Sequence, residues 1–262
     1  MEYKTNQFGA IVKDKFTRSY LSFSNEIQQS ELFILMFNIG GYYIENNKEQ
    51  AKQSLIDIYN HDTNEFAKSL VNYFRSSTAD HLFNIRTYQQ FYGQMAYARS
   101  IDNVVAYFKD ILAEVILKTP QVLRSKETER LDFILAFDSI EEIRIALSEK
   151  KIESLFYCGI DKIEEFFKDK LGINLFKTES DKIQFTIAVK SRNLIVHKRA
   201  KISKAFMKEF PDAGFSLGSI LSYSYEDISR INLTLSNYIS ILDDEIGVKF
   251  GLDFILNTGW VA

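Results

Sequence analysis

Residues that turn or stop the backbone are scarce along this chain, with two prolines and eleven glycines in 262 residues. A β-sandwich, a β-barrel or a series of βαβ units needs a turn every few residues, and such turns commonly use proline or glycine. Long segments in which apolar residues recur every three or four positions favour helices instead. We therefore predict an all-α fold.

The amino-terminal part of the chain contains a helical pattern from Glu31 to about Ser76, where the apolar spacing predicts roughly three helices. The most apolar run, Leu32–Ile44, is too short to cross a bilayer as a helix, and we predict that it is a buried core segment. Before residue 31 the pattern fits a helical face or a short strand, and both interpretations stay open.

A small polar segment at 76–80 is the best candidate for a boundary within the chain. We predict an N-terminal helical extension over residues 1–80 and an up-and-down helical bundle over residues 81–262. The bundle's helices are predicted in this order: one that ends before Pro120, one from about Lys126 to Leu147, one from Ile160 to Leu171 that Gly172 stops, one that begins at a cap near Ser180, a short one before Pro211, and one from about Tyr225 to Gly247.

Several classes of protein are disfavoured by what the sequence lacks. Cys158 is the single cysteine, so no intrachain disulfide can form. With three scattered histidines, no zinc or iron–sulfur spacing can be assembled, and we expect neither a metal nor another cofactor. No basic and apolar leader pattern opens the chain, and we expect a cytoplasmic protein without a membrane partner.

Positive charge is concentrated in one segment of a chain whose net charge is only −3. No acidic residue interrupts that segment before Glu209. Basic segments are usually solvated surface, but they are also the electrostatic signature of nucleic-acid binding. The basic residues of this segment are Lys190, Arg192, Lys198, Arg199, Lys201, Lys204 and Lys208.

Two side chains in this segment have the chemistry that RNA cleavage needs. Arg192 carries a permanent cation suited to a bidentate phosphate contact, and His197 is of the residue type that titrates near neutral pH. An RNA 2′-hydroxyl can attack the adjacent phosphate if a base removes its proton, an acid protonates the leaving oxygen and a cation stabilises the developing charge. No metal is required for this reaction.

The spacing of these residues raises a geometric difficulty. At 100° per residue, Arg192 and His197 lie about 140° apart around one helix. Asn193 and His197 form an i, i+4 pair, so Asn193 is predicted to orient the imidazole. Two copies of the helix that cross at a two-fold axis would pool both arginines and both histidines in one cleft. We therefore predict a homodimer with a composite site.

The segment Ser191-Arg192-Asn193-Leu194-Ile195-Val196-His197-Lys198 resembles the R-N-x-x-x-H signature of HEPN domains. The resemblance covers about residues 84–250, including the helix around Arg99–Asp102. It implies a four- or five-helix up-and-down bundle, dimerisation and, in many members, endoribonuclease activity in toxin–antitoxin systems or antiphage defence. It also implies that Arg192 and His197 are catalytic, that Asn193 supports them, and that an antitoxin or defence-system protein is a possible partner.

The chain departs from many members of that family just after the histidine. They continue with Asn and, one residue further on, Gly, where this chain has Lys198, Arg199 and Ala200. The basic replacements suit a surface that faces RNA. We predict that Lys190, Lys198, Arg199 and Lys201 bind the RNA substrate.

Simpler interpretations of the same residues stay open. His197 could complement the dipole at a helix end while Arg192 makes a surface ion pair. A HEPN-like module could dimerise and bind RNA, a nucleotide or a partner protein without cleaving, and a toxin component modified by a nucleotide is a third possibility. The aromatic residues between Tyr88 and Tyr107 fit core packing better than base stacking, and Asp110 and Glu114 are candidates to face the motif helix.

Overall fold

Helices make up most of the structure, which is a computed structural model that describes residues 3–124 and 128–256, and only the backbone of 85–87. Helix accounts for 72% of the described residues and strand for 3%. The prediction of an all-α fold is therefore confirmed. None of the helices in the described ranges is long and apolar enough to cross a membrane.

The amino-terminal region begins with a two-residue strand, β1, and continues as helices. Thr17 begins the first helix, because its hydroxyl accepts a hydrogen bond from the amide of Tyr20. The segment before residue 31 thus contains both a short strand and a helix. The elements are β1 (Lys15–Phe16), α1 (Arg18–Asn46), α2 (Lys48–Asn60), α3 (Glu65–Ser76) and α4 (Ala79–Leu82).

The remaining elements are one long helix and a series of shorter ones around it. The long helix ends at Lys118, before Pro120, as predicted. A second strand pairs antiparallel with β1. The elements are α5 (Ile85–Lys118), α6 (Leu131–Ile134), α7 (Ile140–Tyr157), α8 (Ile160–Phe166) with a π-helical turn (Phe167–Leu171), α9 (Glu179–Lys198), α10 (Lys204–Glu209), α11 (Tyr225–Phe250) and β2 (Ile255–Leu256).

The prediction of one helix from Lys126 to Leu147 is wrong. Lys126 lies outside the described residues, and the helical segment that follows is divided into α6 and α7. Ser139 causes the new start, because its hydroxyl accepts a hydrogen bond from the amide of Glu142 at 3.2 Å. An apolar spacing that continued across this cap concealed the interruption.

Two other helix boundaries differ from their predicted positions. The cap of α9 is Thr178 rather than Ser180, because Thr178 and Asp181 form a reciprocal capping box. The last helix passes the predicted end at Gly247 and stops at Gly251, which adopts a left-handed conformation with φ of 58°. Gly172 ends its helix in the same conformation, as predicted.

Helix α5 is the centre of the fold. Helices α1, α7, α9 and α11 all pack against it. Its residues Val104, Phe108, Ile111 and Leu112 are fully buried, and each such side chain contributes about 1.5–3 kcal/mol relative to exposure. Because α1 from the predicted extension contacts α5 from the predicted bundle, both regions share one core; the boundary at 76–80 stays a prediction.

The run Leu32–Ile44 is not the buried core segment that its composition predicts. Leu32, Met36 and Ile39 are each more than 60% exposed, and within this run Ile34 and Gly41 are the buried positions. The reason is that α1 packs against its neighbours on one side. Phe37 stacks on Tyr92 of α5 at a centroid distance of 4.3 Å, while Leu32, Met36 and Ile39 are exposed to solvent.

A buried polar network joins the amino-terminal segment to α11. The carboxylate of Asp243, whose side chain is 0% exposed, lies 2.7 Å from the ammonium of Lys13. It also accepts hydrogen bonds from the amide and hydroxyl of Thr17 and, at 3.3 Å, from the hydroxyl of Tyr107. Lys13 and Thr17 belong to the amino-terminal segment, Tyr107 to α5 and Asp243 to α11, so the network fixes residues 13–17 against both helices.

Candidate active site

Helix α9 carries the motif and presents two different faces. Its buried positions include Phe185, Ser191 and Leu194, which face the bundle. Asn193 and His197 lie on the solvent side. The motif is therefore at the surface of the protein, on a helix that the core holds in place.

Arg192 is held by a residue that sequence reasoning did not assign to the site. Its Nη2 donates to Oδ2 of Asp102 at 3.0 Å, and its Nε lies 2.7 Å from Oδ1 of the same carboxylate. Its Nη1 donates to Oδ1 of Asn193 at 3.1 Å. A guanidinium has five N–H bonds, and the hydrogen bonds to Asp102 and Asn193 use one on each terminal nitrogen, so one N–H on Nη1 and one on Nη2 have no partner among the described residues. The Nε atom is buried and makes no hydrogen bond despite its short contact with Asp102. The Arg192 side chain as a whole is 27% exposed.

The carboxylate that contacts the motif helix is neither of the two candidates that the sequence suggested on α5. Glu114 accepts hydrogen bonds from the amide and hydroxyl of Ser19, so it faces α1 and not α9. Asp110 is also on α5, and burial raises the pKa of its carboxyl. Asp102 is the acid that meets the motif helix. Its segment was part of the HEPN resemblance, but spacing within one helix contains no information about a partner on another.

His197 is exposed in the last turn of α9 and is separate from the Arg192 cluster. In the described ranges, no hydrogen bond or ion pair involves its imidazole. The carboxamide oxygen of Asn193 is engaged by Arg192, and no hydrogen bond joins Asn193 to His197. The orienting role of Asn193 toward His197 stays a prediction. One chain thus brings Arg192, Asn193 and Asp102 together and leaves His197 apart.

The basic residues beyond the motif fall into two groups. Lys198, Arg199 and Lys201 are exposed, and no ion pair involves them in the part of the chain that the structure describes. Lys190 lies 3.3 Å from a carboxylate oxygen of Glu209, so its charge is partly compensated. The three cations after His197 form the surface with the most uncompensated positive charge near the motif.

An ordered turn presents these three cations. Arg199 and Ala200 have φ values of 52° and 59°, in the left-handed region that favours glycine. The turn is nonetheless fixed, because the amide of Ala200 donates to the carbonyl of Leu194 and the amide of Leu221 donates to the carbonyl of Ala200, each at 2.9 Å. Ala200 is fully buried in a small apolar cluster with Leu194 and Ile202. Ala200, one of the positions at which the chain differs from the HEPN pattern, therefore lies in a turn with a left-handed backbone.

Two tyrosines lie behind the motif helix. The rings of Tyr97 and Tyr223 stack with centroids 4.0 Å apart. Burial raises the pKa of both phenols above the ordinary value of tyrosine. Both hydroxyls therefore stay protonated at neutral pH, and they are poor candidates for a general base. Histidine is the residue type of the motif that most often serves as a general acid or base.

The arrangement can bind an anion at Arg192 and transfer a proton at His197. In the ranges 3–124 and 128–256, no three His, Cys, Asp or Glu side chains lie close enough to hold a metal ion. Arg192 also makes the ion pair that the simpler interpretation of the motif expects, so its geometry alone is compatible with either role. Comparison of the chain with protein-family models, with curated proteins and with solved structures finds no match.

Proposed function

We propose that this chain is a metal-independent endoribonuclease that cleaves RNA by attack of a 2′-hydroxyl on the adjacent phosphate. The observation that carries the proposal is the set of hydrogen bonds that the Arg192 guanidinium makes and leaves unmade. Its guanidinium is oriented by Asp102 and Asn193, one N–H on each of its terminal nitrogens has no partner among the described residues, and its side chain is partly exposed. A planar cation with N–H donors on both terminal nitrogens is suited to binding a phosphate.

His197 supplies the proton transfer in this proposal. It acts as the base that removes the 2′-hydroxyl proton or as the acid that protonates the leaving 5′-oxygen. Because His197 lies about 140° around α9 from Arg192, the histidine that serves a given arginine comes from a second copy of the chain. The active form is thus a homodimer in which two α9 helices cross at their exposed faces.

The cations after the motif extend the RNA-binding surface. Lys198, Arg199 and Lys201 are exposed and contact phosphates on either side of the scissile bond. Lys190 joins them once RNA competes with Glu209 for its ammonium group. The resemblance of the motif to HEPN domains supports a role in a toxin–antitoxin system or in phage defence, with an antitoxin or another defence protein as partner.

A second candidate function is a HEPN-like dimeric module that binds RNA, a nucleotide or a partner protein without cleaving it. Two observations favour it. The charge of Arg192 is already paired with Asp102, and His197 has no group that orients it within the described part of its own chain. In this alternative, both residues contribute only to binding or to stability.

Incubation of the purified protein with total RNA in excess EDTA separates the two candidates. The proposal expects cleavage with 2′,3′-cyclic phosphate ends, and loss of cleavage in His197→Ala and Arg192→Ala. His61→Ala is the matched control, because His61 is an exposed histidine at the end of α2, outside the site. Intact RNA with the wild type, together with RNA binding, would support the binding module and refute the enzyme under these conditions.

A further inference from the structure

A cavity lies between α9 and α11, over the surface of α5 on which both helices pack. Its volume is about 420 Å³. Three buried aromatic rings form part of its lining, those of Tyr97, Phe176 and Phe185, each less than a tenth exposed. The deeper part of the cavity lining is therefore apolar and partly aromatic.

Polar groups line the same cavity from both helices and lie at its exposed edge. Gln184 of α9 provides an amide donor and acceptor, and Arg230 and Thr234 of α11 provide a cation and a hydroxyl. An apolar, aromatic cavity with a few polar groups at its edge is typical of a small-ligand site. The polar groups on two helices could fix the orientation of a flat ligand between them.

The cavity lies close to the Arg192 site along two helices. On α9, Ala188 lines it, and Arg192 follows about 6 Å further along the helix axis and about 40° around it. On α5, Ile101 lines it, and the next residue is Asp102, which holds the guanidinium of Arg192. A ligand in the cavity would thus lie next to whatever anion Arg192 binds.

We propose that this cavity binds an unstacked nucleobase of the RNA whose scissile phosphate is held by Arg192. The inference rests on the proposed function and adds a base-recognition subsite to it. A nucleobase has apolar faces that stack on aromatic rings and polar edges that form hydrogen bonds, and proteins read single-stranded RNA in this way. The aromatic lining receives the faces, and Gln184 reads the edge.

The test measures binding without cleavage. Fluorescently labelled 2′-O-methyl RNA oligomers of each of the four bases lack the nucleophile, so their binding is measured by anisotropy. The wild type is expected to prefer one base by about tenfold, because the Gln184 amide forms hydrogen bonds with the edges of some bases and not of others. Ala188→Leu fills the cavity and is expected to abolish that preference. Gln184→Ala removes an exposed amide, with little risk to folding, and is expected to reduce it.

Two controls separate this subsite from general RNA binding. Gln53→Ala changes an exposed glutamine of α2 and should leave the preference intact. Arg192→Ala should weaken binding of all four oligomers by a similar factor, because a phosphate contact does not distinguish bases. Circular dichroism of each variant confirms that its helices are intact.

The outcomes distinguish the two proposals. RNA cleavage by the wild type with no base preference in binding, or with a preference that both cavity variants retain, would overturn the base subsite and leave the ribonuclease proposal standing. A base preference that depends on Gln184 and Ala188, in a protein that cleaves no RNA, would support the subsite and count against the nuclease. Failure of all four oligomers to bind would overturn the subsite.

Discussion

Replacement of Asp243 by alanine tests whether the buried network ties the amino-terminal segment into the fold. Asp243 is fully buried, and its carboxylate lies 2.7 Å from the ammonium of Lys13. Removal of one partner from a buried ion pair costs about 3–5 kcal/mol when the other charge is left uncompensated, and in Asp243→Ala the Lys13 ammonium would be left with the partly exposed Asp244 as its ion-pair partner. The change also removes the acceptor of the Thr17 and Tyr107 hydroxyls. We therefore expect the free energy of unfolding of Asp243→Ala to fall by at least about 3 kcal/mol.

The neighbouring residue offers a matched control. Asp244 lies 2.8 Å from the same ammonium, but its side chain is 19% exposed, and Asp243 remains when it is removed. Asp244→Ala should cost about 1 kcal/mol or less, as partly solvated pairs usually do. Urea unfolding followed by circular dichroism at 222 nm measures both variants. Losses that agree within about 1 kcal/mol would refute the argument that Asp243 anchors the network.

Three further predictions follow from particular contacts. Asp102→Ala should lower the rate of RNA cleavage by at least about tenfold, because Arg192 loses the carboxylate that orients it. Asp102→Glu should restore part of the rate. An unchanged rate in Asp102→Ala would contradict this positioning role. Alanine at the three basic positions of 198–201 should reduce the slope of log binding constant against log salt by about 2, and an unchanged slope would exclude phosphate contacts there. Burial raises the pKa of Tyr92 to about 12 and that of Tyr107 well above its usual range. The folded chain therefore retains protons that the unfolded chain loses near pH 10, and stability should fall as pH rises above 10. The tyrosinate absorbance of these two residues, measured as the difference between the wild type and the Tyr92→Phe and Tyr107→Phe variants, should appear together with loss of helix, and its appearance in an intact helical protein would contradict the assignment.

Much of the fold could be predicted from the sequence because its helices end at residues with strong local preferences. Pro120 limits α5, and Gly172 ends the helix before the motif, as predicted. The cap at Ser139 was missed because apolar spacing continued across it. The exposure of Leu32–Ile44 could not be predicted, since composition indicates how apolar a helix is but not how many of its faces have a neighbour.

The candidate site could be predicted only where its chemistry lies on one helix. The separation of Arg192 from His197 follows from the residue spacing alone. The contact of Asp102 with Arg192 depends on how α5 and α9 pack, and no periodicity within either helix contains that information. The cavity next to Arg192 was missed for the same reason, because its lining comes from three helices and the segment before α9.

Mixing of two inactive variants tests the composite dimer site most directly. Arg192→Ala and His197→Ala are purified separately and each assayed for RNA cleavage, then combined at equal concentrations under conditions in which subunits exchange. Because half of the dimers then contain both variants, and one of their two arginine and histidine pairs is intact, the account predicts recovery of about a quarter of the wild-type activity. A mixture as inactive as either variant alone, with a wild type that cleaves RNA and with exchange demonstrated, would contradict it.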